Sequence, residues 1–426
     1  MASNKRFIAS EPTQAWLSQF DTAVQGDMVK MLQAMRLVTR DQFAESIRER
    51  LLQASEQAEG RIGLYVEREI PPKNQPPEPL FQQPEFRPRR AFGVGPDPIQ
   101  PDVSQPGDVG SEGIVAQLVS ELCREMPGKF ASHPGPDELR KKKKPIKGLI
   151  LVTDLIGSGQ RAERYLDAAW RVFSFKSWWS GRSSNGLSFD IVAYAATVAG
   201  KARVSAHRLS PGMRLVTECP TIDTVFSKEQ AVVIKRICHE YYPLAKKTDV
   251  LGYQNTGALI AFAHGIPNNS PGILHKGNSS WTPLFARRVT AATRSDFSND
   301  IDQQEIQQRL VNMRHKRLSE GHDWSQAAKG TLETYLVLAA LSHPPRKIEV
   351  VARRTGLTLL ETESIMLKAI NNAWVDNRYR LTDQGQAYLR AAKKKRRVVL
   401  PVDSVKMYYP SALRVPGLLS SDLSVE

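Results

Sequence analysis

The stretch LILVTDLIGSGQRAERYL, residues 149–166, constrains the fold of this chain more than any other. Its apolar first half predicts a buried β-strand, and its second half repeats apolar residues at helical spacing. The glycines between the two halves predict a tight turn. A strand that passes through such a turn into a helix begins a βαβ unit, so the sequence favours a parallel sheet covered by helices.

Other segments continue this alternation of strands and helices. Apolar residues at helical spacing predict two or three helices over residues 12–58. A further helix is predicted near residues 228–242. We predict strands at 62–70 (IGLYVEREI), 189–198 (FDIVAYAATV), 203–209 (RVSAHRL) and 257–265 (GALIAFAHG). Together the patterns predict an α/β domain with helices at its N-terminus.

The charge of the chain favours an anionic partner. The chain has 59 Lys and Arg against 44 Asp and Glu, a formal charge of +15 and a pI near 9.7. This balance favours association with a polyanion. Cys123, Cys219 and Cys238 are widely spaced, so we expect neither a disulfide framework nor a structural zinc site. The N-terminal residues lack the apolar core of a secretory signal, and we expect a cytoplasmic protein.

Two further segments have distinctive compositions. Residues 71–108 are rich in proline and cannot pack a core alone. Their phenylalanines and arginines fit either an extended segment draped over a partner or a solvated loop. The lysine run RKKKKP at 140–145 fits either a contact with phosphates or a solvated approach to a buried strand.

The glycine turn fits an anion site. It lacks the Lys and Ser/Thr of a P-loop, which excludes triphosphate hydrolysis by that route. It matches a dinucleotide fingerprint only loosely, and no acid lies near position 177 to bind a ribose. The N–H groups from Gly157 to Arg161, with Ser158 as a hydroxyl donor, would instead bind a 5'-phosphate. Asp154 would accept bonds from ribose hydroxyls and stabilise charge as the anomeric bond breaks. The alternative is a plain connecting turn capped by Asp154.

An acid at a strand end, two apolar residues and a Gly/Ser loop that opens a helix resemble the phosphoribosyl pyrophosphate loop of type I phosphoribosyltransferases. Residues 251–288, LGYQNTGALIAFAHGIPNNSPGILHKGNSSWTPLFARR, look like the distal signature of PRTase-CE, a phosphoribosyltransferase-like family of bacterial conflict systems. VGSEG at 109–113 looks like its earlier loop. The resemblance covers roughly residues 10–295 and implies a type I phosphoribosyltransferase-like α/β fold.

The resemblance also implies roles for the matching residues. Asp154 and His264 would be catalytic, and Trp281 and Arg287 would close over the site or bind a polyanion. The implied ligand is phosphoribosyl pyrophosphate with Mg²⁺. Thr153 replaces the first of two adjacent acids usual in active members, so a transferase, a ribosyl-cleaving enzyme and an inactive site all stay open. The implied ligand contacts are Gly157, Ser158, Gly159, Gln160, Arg161, Ser111, Glu112, Asn268 and Asn269.

The C-terminal part resembles a winged helix-turn-helix domain. Three helices are predicted here, from residues 331–342, KIEVVARRTG and LTLLETESIMLKAINNAW. A hairpin and a last helix are predicted from VDNRYRLTDQGQAYLRAA. Glu361 and Glu363 would repel phosphate at the usual point of groove entry, and winged helices also dock proteins. The predicted phosphate contacts are Arg353, Arg354, Lys368, Arg378, Arg380, Lys393, Lys394, Lys395, Arg396 and Arg397.

A phosphoribosyltransferase-like domain followed by a winged helix resembles the effectors of one class of retrons. Retrons are bacterial antiphage systems in which a reverse transcriptase makes a branched RNA–DNA molecule, msDNA. The resemblance implies a toxic abortive-infection effector that binds a ribosyl phosphate and is held inactive by the reverse transcriptase and by msDNA docked partly through the winged helix. It implies no membrane partner.

Two alternatives belong to other classes. One is a ligand-sensing, DNA-binding transcription regulator with an inactive phosphoribosyltransferase domain. The other is a nucleotide-salvage enzyme, which the missing first acid and the winged helix disfavour. The predicted parts are an N-terminal helical segment (1–70), a proline-rich loop or linker (71–108), the α/β core (109–300), a connector (301–330), the winged helix (331–398) and a tail (399–426).

Overall fold

A computed structural model describes residues 4–70, 75–98, 112–185, 187–293, 297, 303–321 and 329–391. Two of the predicted binding regions, Ser111 and the basic residues 393–397, lie outside these ranges.

The strands of the described residues form two parallel sheets. The larger sheet has five strands in the order β3-β2-β4-β5-β6, and the smaller one pairs β1 with β7. Strand β4 is almost continuously apolar, as expected for a parallel strand buried on both faces. The strands are β1 (Arg36–Val38), β2 (Arg61–Val66), β3 (Phe130–Ser132), β4 (Ile146–Ile156), β5 (Ser188–Ala196), β6 (Gly212–Glu218) and β7 (Ile260–Phe262).

Helices connect and cover the strands. None of those in the described ranges is long and apolar enough to span a bilayer. The helices are α1 (Lys5–Ala9), α2 (Glu11–Leu17), α3 (Thr22–Ala34), α4 (Arg40–Glu56), α5 (Glu112–Glu125), α6 (Pro136–Leu139), α7 (Gln160–Trp170), α8 (Phe173–Ser180), α9 (Arg182–Asn185), α10 (Val198–Ser205), α11 (Ile222–Val225), α12 (Lys228–Glu240), α13 (Gln303–Asn312), α14 (Lys316–Gly321), α15 (Lys329–Leu341), α16 (Ile348–Thr355), α17 (Leu359–Asn371) and α18 (Asp383–Ala391).

The five-stranded sheet has a core on each face. Successive residues of β4 alternate between the faces, as the pleat requires. Ile150 and Val152 pack with side chains of α4 and α5 on one face. Leu149 and Leu151 pack with side chains of α7 and α8 on the other. This layering fixes the end of β4, and the residues that follow it, at the carboxyl edge of the sheet.

The N-terminal helices pack against the segment that follows α12. Trp16 and Trp281 meet edge to face, with ring centroids 6.2 Å apart. Their indole N–H groups both donate to the carbonyl of Ile273, at 3.3 and 3.1 Å. Trp281 therefore belongs to this core and does not close over the predicted ligand site.

The strand predicted at residues 203–209 is wrong. Residues Val198–Ser205 form α10, which begins after Thr197, whose hydroxyl accepts a bond from the N–H of Gly200. The strand in this region is β6, which begins only at Gly212. Val204 is fully buried against the sheet from the helix, so its apolar character reports burial and not strand structure. The predicted strand at 257–265 shortens to β7, which pairs with β1 outside the main sheet.

Candidate functional site

The turn after β4 has the close packing that its glycines suggest. Gly159 has a left-handed backbone with φ of +77° and precedes the first turn of α7. A Cβ on Gly157 would lie 2.2 Å from Oδ1 of Asn269, so only glycine fits there in this arrangement. Strand β4 runs to Ile156, and Asp154 therefore lies within the strand and not at its last position.

The turn is held from the side of α10. The hydroxyl of Thr197 donates to the carbonyl of Gly157 at 2.6 Å and accepts from the N–H of Gly200 at 2.9 Å. Arg203 donates to the carbonyl of Ser158 at 3.3 Å. These bonds fix the shape of the turn before any ligand arrives, a form of preorganisation that lowers the cost of binding.

The other side of the turn lines a cleft of about 760 Å³. The cleft lies at the carboxyl ends of parallel strands, where open α/β sheets bind ligands, and its volume suits a small molecule. It brings together nearly all the predicted ligand residues that the structure describes. Its walls include Asp154, Gly157, Ser158, Gly159, Gln160, Arg161, His264, Asn268 and Asn269.

A second buried carboxylate, which the sequence patterns did not identify, lies beside Asp154. Glu67 directly follows β2 and is 4% exposed. The hydroxyl of Thr153 donates to its Oε2 at 2.6 Å. Thr153 Oγ1 also lies 3.4 Å from Oδ1 of Asp154. The site thus has two carboxylates, one on each side of Thr153. Asp154 belongs to β4, and Glu67 directly follows the neighbouring strand β2.

Arg161 neutralises this acidic wall. Its Nε lies 3.2 Å from Oε2 of Glu67, and its Nη1 lies 3.2 Å from Oε1 of Glu112. Burial lowers the pKa of the Arg161 guanidinium, but Glu67, Asp154 and Glu112 outweigh it and hold that pKa above its ordinary value. Arg161 therefore serves as the counter-ion of Glu67 and Glu112. Glu112, which the sequence predicted as a ligand contact, is thus placed beside Arg161.

The pKa of the Glu67 carboxyl group is raised, whereas the pKa of an ordinary ion-paired acid is lowered. Burial raises its pKa, and the charge of Arg161 and the bond from Thr153 offset this only in part. Burial likewise raises the pKa of Glu112, against the effect of Arg161. Glu67 therefore binds a proton more readily than an exposed glutamate does, as acid–base groups in active sites often do.

His264 lies opposite Asp154. Its Nε2 is 3.6 Å from Oδ2 of Asp154, and the other carboxylate oxygen accepts the N–H of Leu155 at 2.7 Å. The imidazole stacks on Phe262, with ring centroids 4.9 Å apart, and meets the edge of Phe43. Nε2 is buried and has no hydrogen-bond partner among the described residues. A nitrogen so placed can hold or move a proton at the ligand.

Side chains of the far wall hold one another. Asn269 is buried and donates to the hydroxyl of Thr256 at 3.0 Å. Tyr253 and Gln254 both donate to the amide oxygen of Gln160, the second at 3.0 Å. Asn268 accepts the N–H of Tyr253 through its backbone carbonyl, at 2.8 Å.

Two arginines at this wall have left-handed backbones. Arg287 and Arg288 have φ of +52° and +64°, are exposed and line the cleft. Neither is within ion-pair distance of an acid in the described part of the chain, so both are free to meet an anion. Arg288 was not predicted as a ligand residue.

No group of three His, Cys, Asp or Glu side chains in the described ranges is arranged to hold a metal ion. Oxygen Oε2 of Glu67 is already bound by Thr153 and faces Arg161.

The predicted nucleic-acid contacts of the winged helix fall into two groups. Lys368, Arg378 and Arg380 are exposed. Arg353 instead pairs with Glu218 of β6 at 2.9 Å, and Arg354 donates to the carbonyls of Ala340 and His343 at 3.0 and 2.8 Å. Arg354 thus satisfies carbonyl groups at the C-terminal end of α15 and just beyond it.

The start of α17 packs on the α/β domain. Leu360 joins the core on one face of the sheet and Leu359 joins the core on the other, so this helix end closes over the edge strand β6. Glu363 pairs with the buried Arg50. Glu361 caps its own helix, because its carboxylate accepts the N–H of Thr358 at 2.8 Å. The end that enters a DNA groove in helix-turn-helix proteins is therefore covered.

Comparison with protein families agrees with this architecture. Residues 108–287 match the family model described as PRTase-CE, and residues 335–415 match the model described as wHTH-PRTase associated. The chain thus has a phosphoribosyltransferase-like α/β domain and a C-terminal winged-helix domain, which confirms the predicted fold class. No curated protein and no solved structure matches the chain.

Proposed function

We propose that this chain is a toxic effector of a retron antiphage system and that its cleft binds a phosphoribosyl or ribosyl compound. The observation that carries the ligand is the buried pair of Asp154 and His264, 3.6 Å apart, beside a preformed glycine turn. The two family matches, in the order phosphoribosyltransferase-like domain and then winged helix, support the effector role.

The geometry supports a division of labour in the cleft. The turn at Gly157–Gly159 receives the 5'-phosphate, and Arg287 and Arg288 add positive charge at the mouth. As the bond between the anomeric carbon and its leaving group breaks, positive charge develops on the ribose. The carboxylate of Asp154 lies on the cleft wall and would stabilise this charge, while Glu67 stays paired with Arg161. His264 would take the proton of the attacking group at Nε2. A magnesium ion would come with the pyrophosphate.

The partners in this proposal are a reverse transcriptase and its msDNA. A formal charge of +15 and the exposed Lys368, Arg378 and Arg380 support a nucleic-acid contact through the winged helix. The covered start of α17 argues against the alternative of an operator-reading regulator, because that helix end would have to leave the α/β domain to read base edges.

Asp154→Asn tests the chemical role of the cleft. We expect the catalytic rate to fall by about 10²–10³-fold, the usual cost of removing one group that stabilises developing charge. Viable counts after induction of the full chain in a bacterial host should therefore rise relative to wild type. Asp190→Asn is a matched control, because Asp190 is a partly buried acid near the start of β5 and does not line the cleft. Equal toxicity of wild type and Asp154→Asn would exclude catalysis by this site.

Co-purification tests the partners. The tagged chain, expressed from its own locus, should bring down a reverse transcriptase together with a branched RNA–DNA molecule. Recovery of promoter DNA alone would contradict the effector proposal and favour the regulator.

A further inference from the structure

A second charged surface lies at the opposite end of β4 from the cleft. The lysine run, Lys141–Lys144, directly precedes β4, whereas Asp154 lies near its carboxyl end. A strand of 11 residues rises roughly 36 Å, so the two regions are well separated. The proline-rich segment and α8 meet near this edge, and Arg140, which precedes the lysine run, contacts α8. We name the region formed by these segments and the lysine run the basic–aromatic surface.

The described part of the proline-rich segment, residues 75–98, folds onto the α/β domain. Phe81 is 3% exposed and Ala91 is fully buried in the core beneath α7 and α8. The N–H of Leu80 donates to the carbonyl of Ala168, and the N–H of Ala91 donates to the hydroxyl of Ser174, both at 2.9 Å. Residues 75–98 thus lie on the chain's own α/β domain, anchored by Phe81 and Ala91, while most of their other side chains are exposed.

This packing leaves aromatic rings exposed among cations. Phe86 is 81% exposed and Phe173 is 41% exposed. The guanidinium of Arg89 lies 4.7 Å from the ring centroid of Phe173, and the ammonium of Lys176 lies 5.0 Å from the same centroid. Neither ring belongs to the hydrophobic core on this face of the sheet, so both are accessible from solvent.

Arg140 connects these cations to the lysine run, which follows it directly in the chain. Arg140 donates to the hydroxyl of Ser174 at 3.3 Å and lies over the ring of Trp178. Burial and then the nearby charge of Arg90 lower the pKa of Arg140. In the described ranges Arg140 alone among these cations is within 4.0 Å of a carboxylate, that of Asp137. The cations are Arg87, Arg89, Arg90, Arg140, Lys141, Lys142, Lys143, Lys144 and Lys176.

The surface is also concave. A depression of about 680 Å³ lies between the proline-rich segment and α8. Arginines from one side and the ring of Phe173 from the other line it. Cations along a groove with accessible aromatic rings are the features by which proteins hold single strands, since phosphates meet the cations and unpaired bases stack on the rings. A duplex offers the same phosphates but keeps its bases stacked inside.

We propose that the basic–aromatic surface binds single-stranded nucleic acid, with bases stacked on Phe86 and Phe173 and phosphates held by Arg89, Lys176 and the lysine run. This proposal does not rest on the ribosyl phosphate cleft, and it places a nucleic-acid contact outside the winged helix.

Fluorescence anisotropy of the full chain with a labelled 20-nucleotide oligothymidylate tests the proposal. Phe86→Ala should weaken binding roughly tenfold, the effect of losing one stacked base, and leave the salt dependence unchanged. Arg89→Ala combined with Lys176→Ala should also weaken binding, and should reduce the slope of log affinity against log salt by about 1.4. A duplex of the same length should bind more weakly, and Phe86→Ala should not affect it.

Matched controls separate this surface from general charge. Lys228→Ala with Lys246→Ala removes two exposed cations elsewhere on the α/β domain, and Val232→Ala shortens an exposed apolar side chain that is 66% exposed. All of these should retain wild-type affinity, as should Asp154→Asn, so that failure of the cleft chemistry leaves this test intact. The proposal is overturned if Phe86→Ala binds as wild type, if the control pair weakens binding equally, or if replacing Lys368, Arg378 and Arg380 alone abolishes binding.

Discussion

Arg161 of the cleft and Arg89 of the basic–aromatic surface use the guanidinium group in opposite ways. In the cleft Arg161 is bound by Glu67 and Glu112, each at 3.2 Å, and the carboxylates are buried or partly buried. On the basic–aromatic surface Arg89 lies on an exposed ring and pairs with no described acid. Paired, desolvated charges hold one geometry, which suits a small ligand of defined shape. Unpaired charges in water keep their freedom, which suits a flexible polymer.

The largest expected difference between the two regions is in stability. Arg161→Ala should lower the free energy of unfolding by about 2–4 kcal/mol, because Glu67 stays behind as a buried carboxylate without its counter-ion; the partial exposure of Arg161 keeps this loss towards the lower end of what broken buried pairs cost. Arg89→Ala should change stability by no more than about 0.5 kcal/mol. Urea unfolding of both variants measures this.

A double variant sharpens the same comparison. Arg161→Ala with Glu67→Gln removes both members of the pair, and should be more stable than the sum of the two single losses predicts. Simple additivity would mean that Glu67 and Arg161 do not stabilise each other, and the contrast with Arg89 would then disappear.

The next largest effect concerns the shape of the turn. Gly157→Ala would place a Cβ 2.2 Å from Asn269, which must then move and lose its 3.0 Å bond to Thr256. The affinity for ribose 5-phosphate, measured by calorimetry, should fall at least tenfold, or about 1.4 kcal/mol. Gly26→Ala is the control, because a Cβ in that part of α3 meets nothing within 4 Å. It should leave binding unchanged and stabilise the helix by about 0.5–1 kcal/mol.

The smallest effect is a dependence of stability on pH. Because the pKa of Glu67 is raised in the folded protein, folding favours its protonated form. The stability that this group contributes is therefore complete below the ordinary glutamate pKa and is lost as the pH rises through the raised folded value. Relative to Glu67→Gln, whose amide does not titrate, wild type should lose unfolding free energy as the pH rises from about 4. A constant difference between the two proteins would contradict the raised pKa.

Local signals in the sequence predicted much of this arrangement, and tertiary relations account for what they missed. The β4–turn–α7 unit is visible because the apolar run, Gly159 and the amphipathic helix are adjacent in the chain. Glu67 was missed because it meets Thr153 across a gap of 86 residues, through the pairing of β2 with β4. An acid directly after a buried strand was the available signal, since carboxyl ends of parallel neighbours meet.

Other misses have the same cause. From the sequence we expected Glu361 to repel phosphate. Together with Thr358, the N-cap residue three positions earlier, it instead forms a capping box at the start of α17. The sequence did not predict that the proline-rich segment packs on the α/β domain. This packing depends on the burial of Phe81 under α7 and α8, a long-range contact that no local pattern encodes. Thr197 is an N-cap residue and could have indicated the start of α10, but the apolar Val204 also fits a strand pattern.

The docking of α17 couples the stability of the two domains. Freeing its start would expose Leu359 and Leu360, which are 8% and 3% exposed when docked. At about 1.5–3 kcal/mol for each side chain, fewer than roughly one molecule in a hundred would be undocked at any moment. The chain should therefore melt in one cooperative transition, and any partner that grips the start of α17 must supply that free energy from its own affinity.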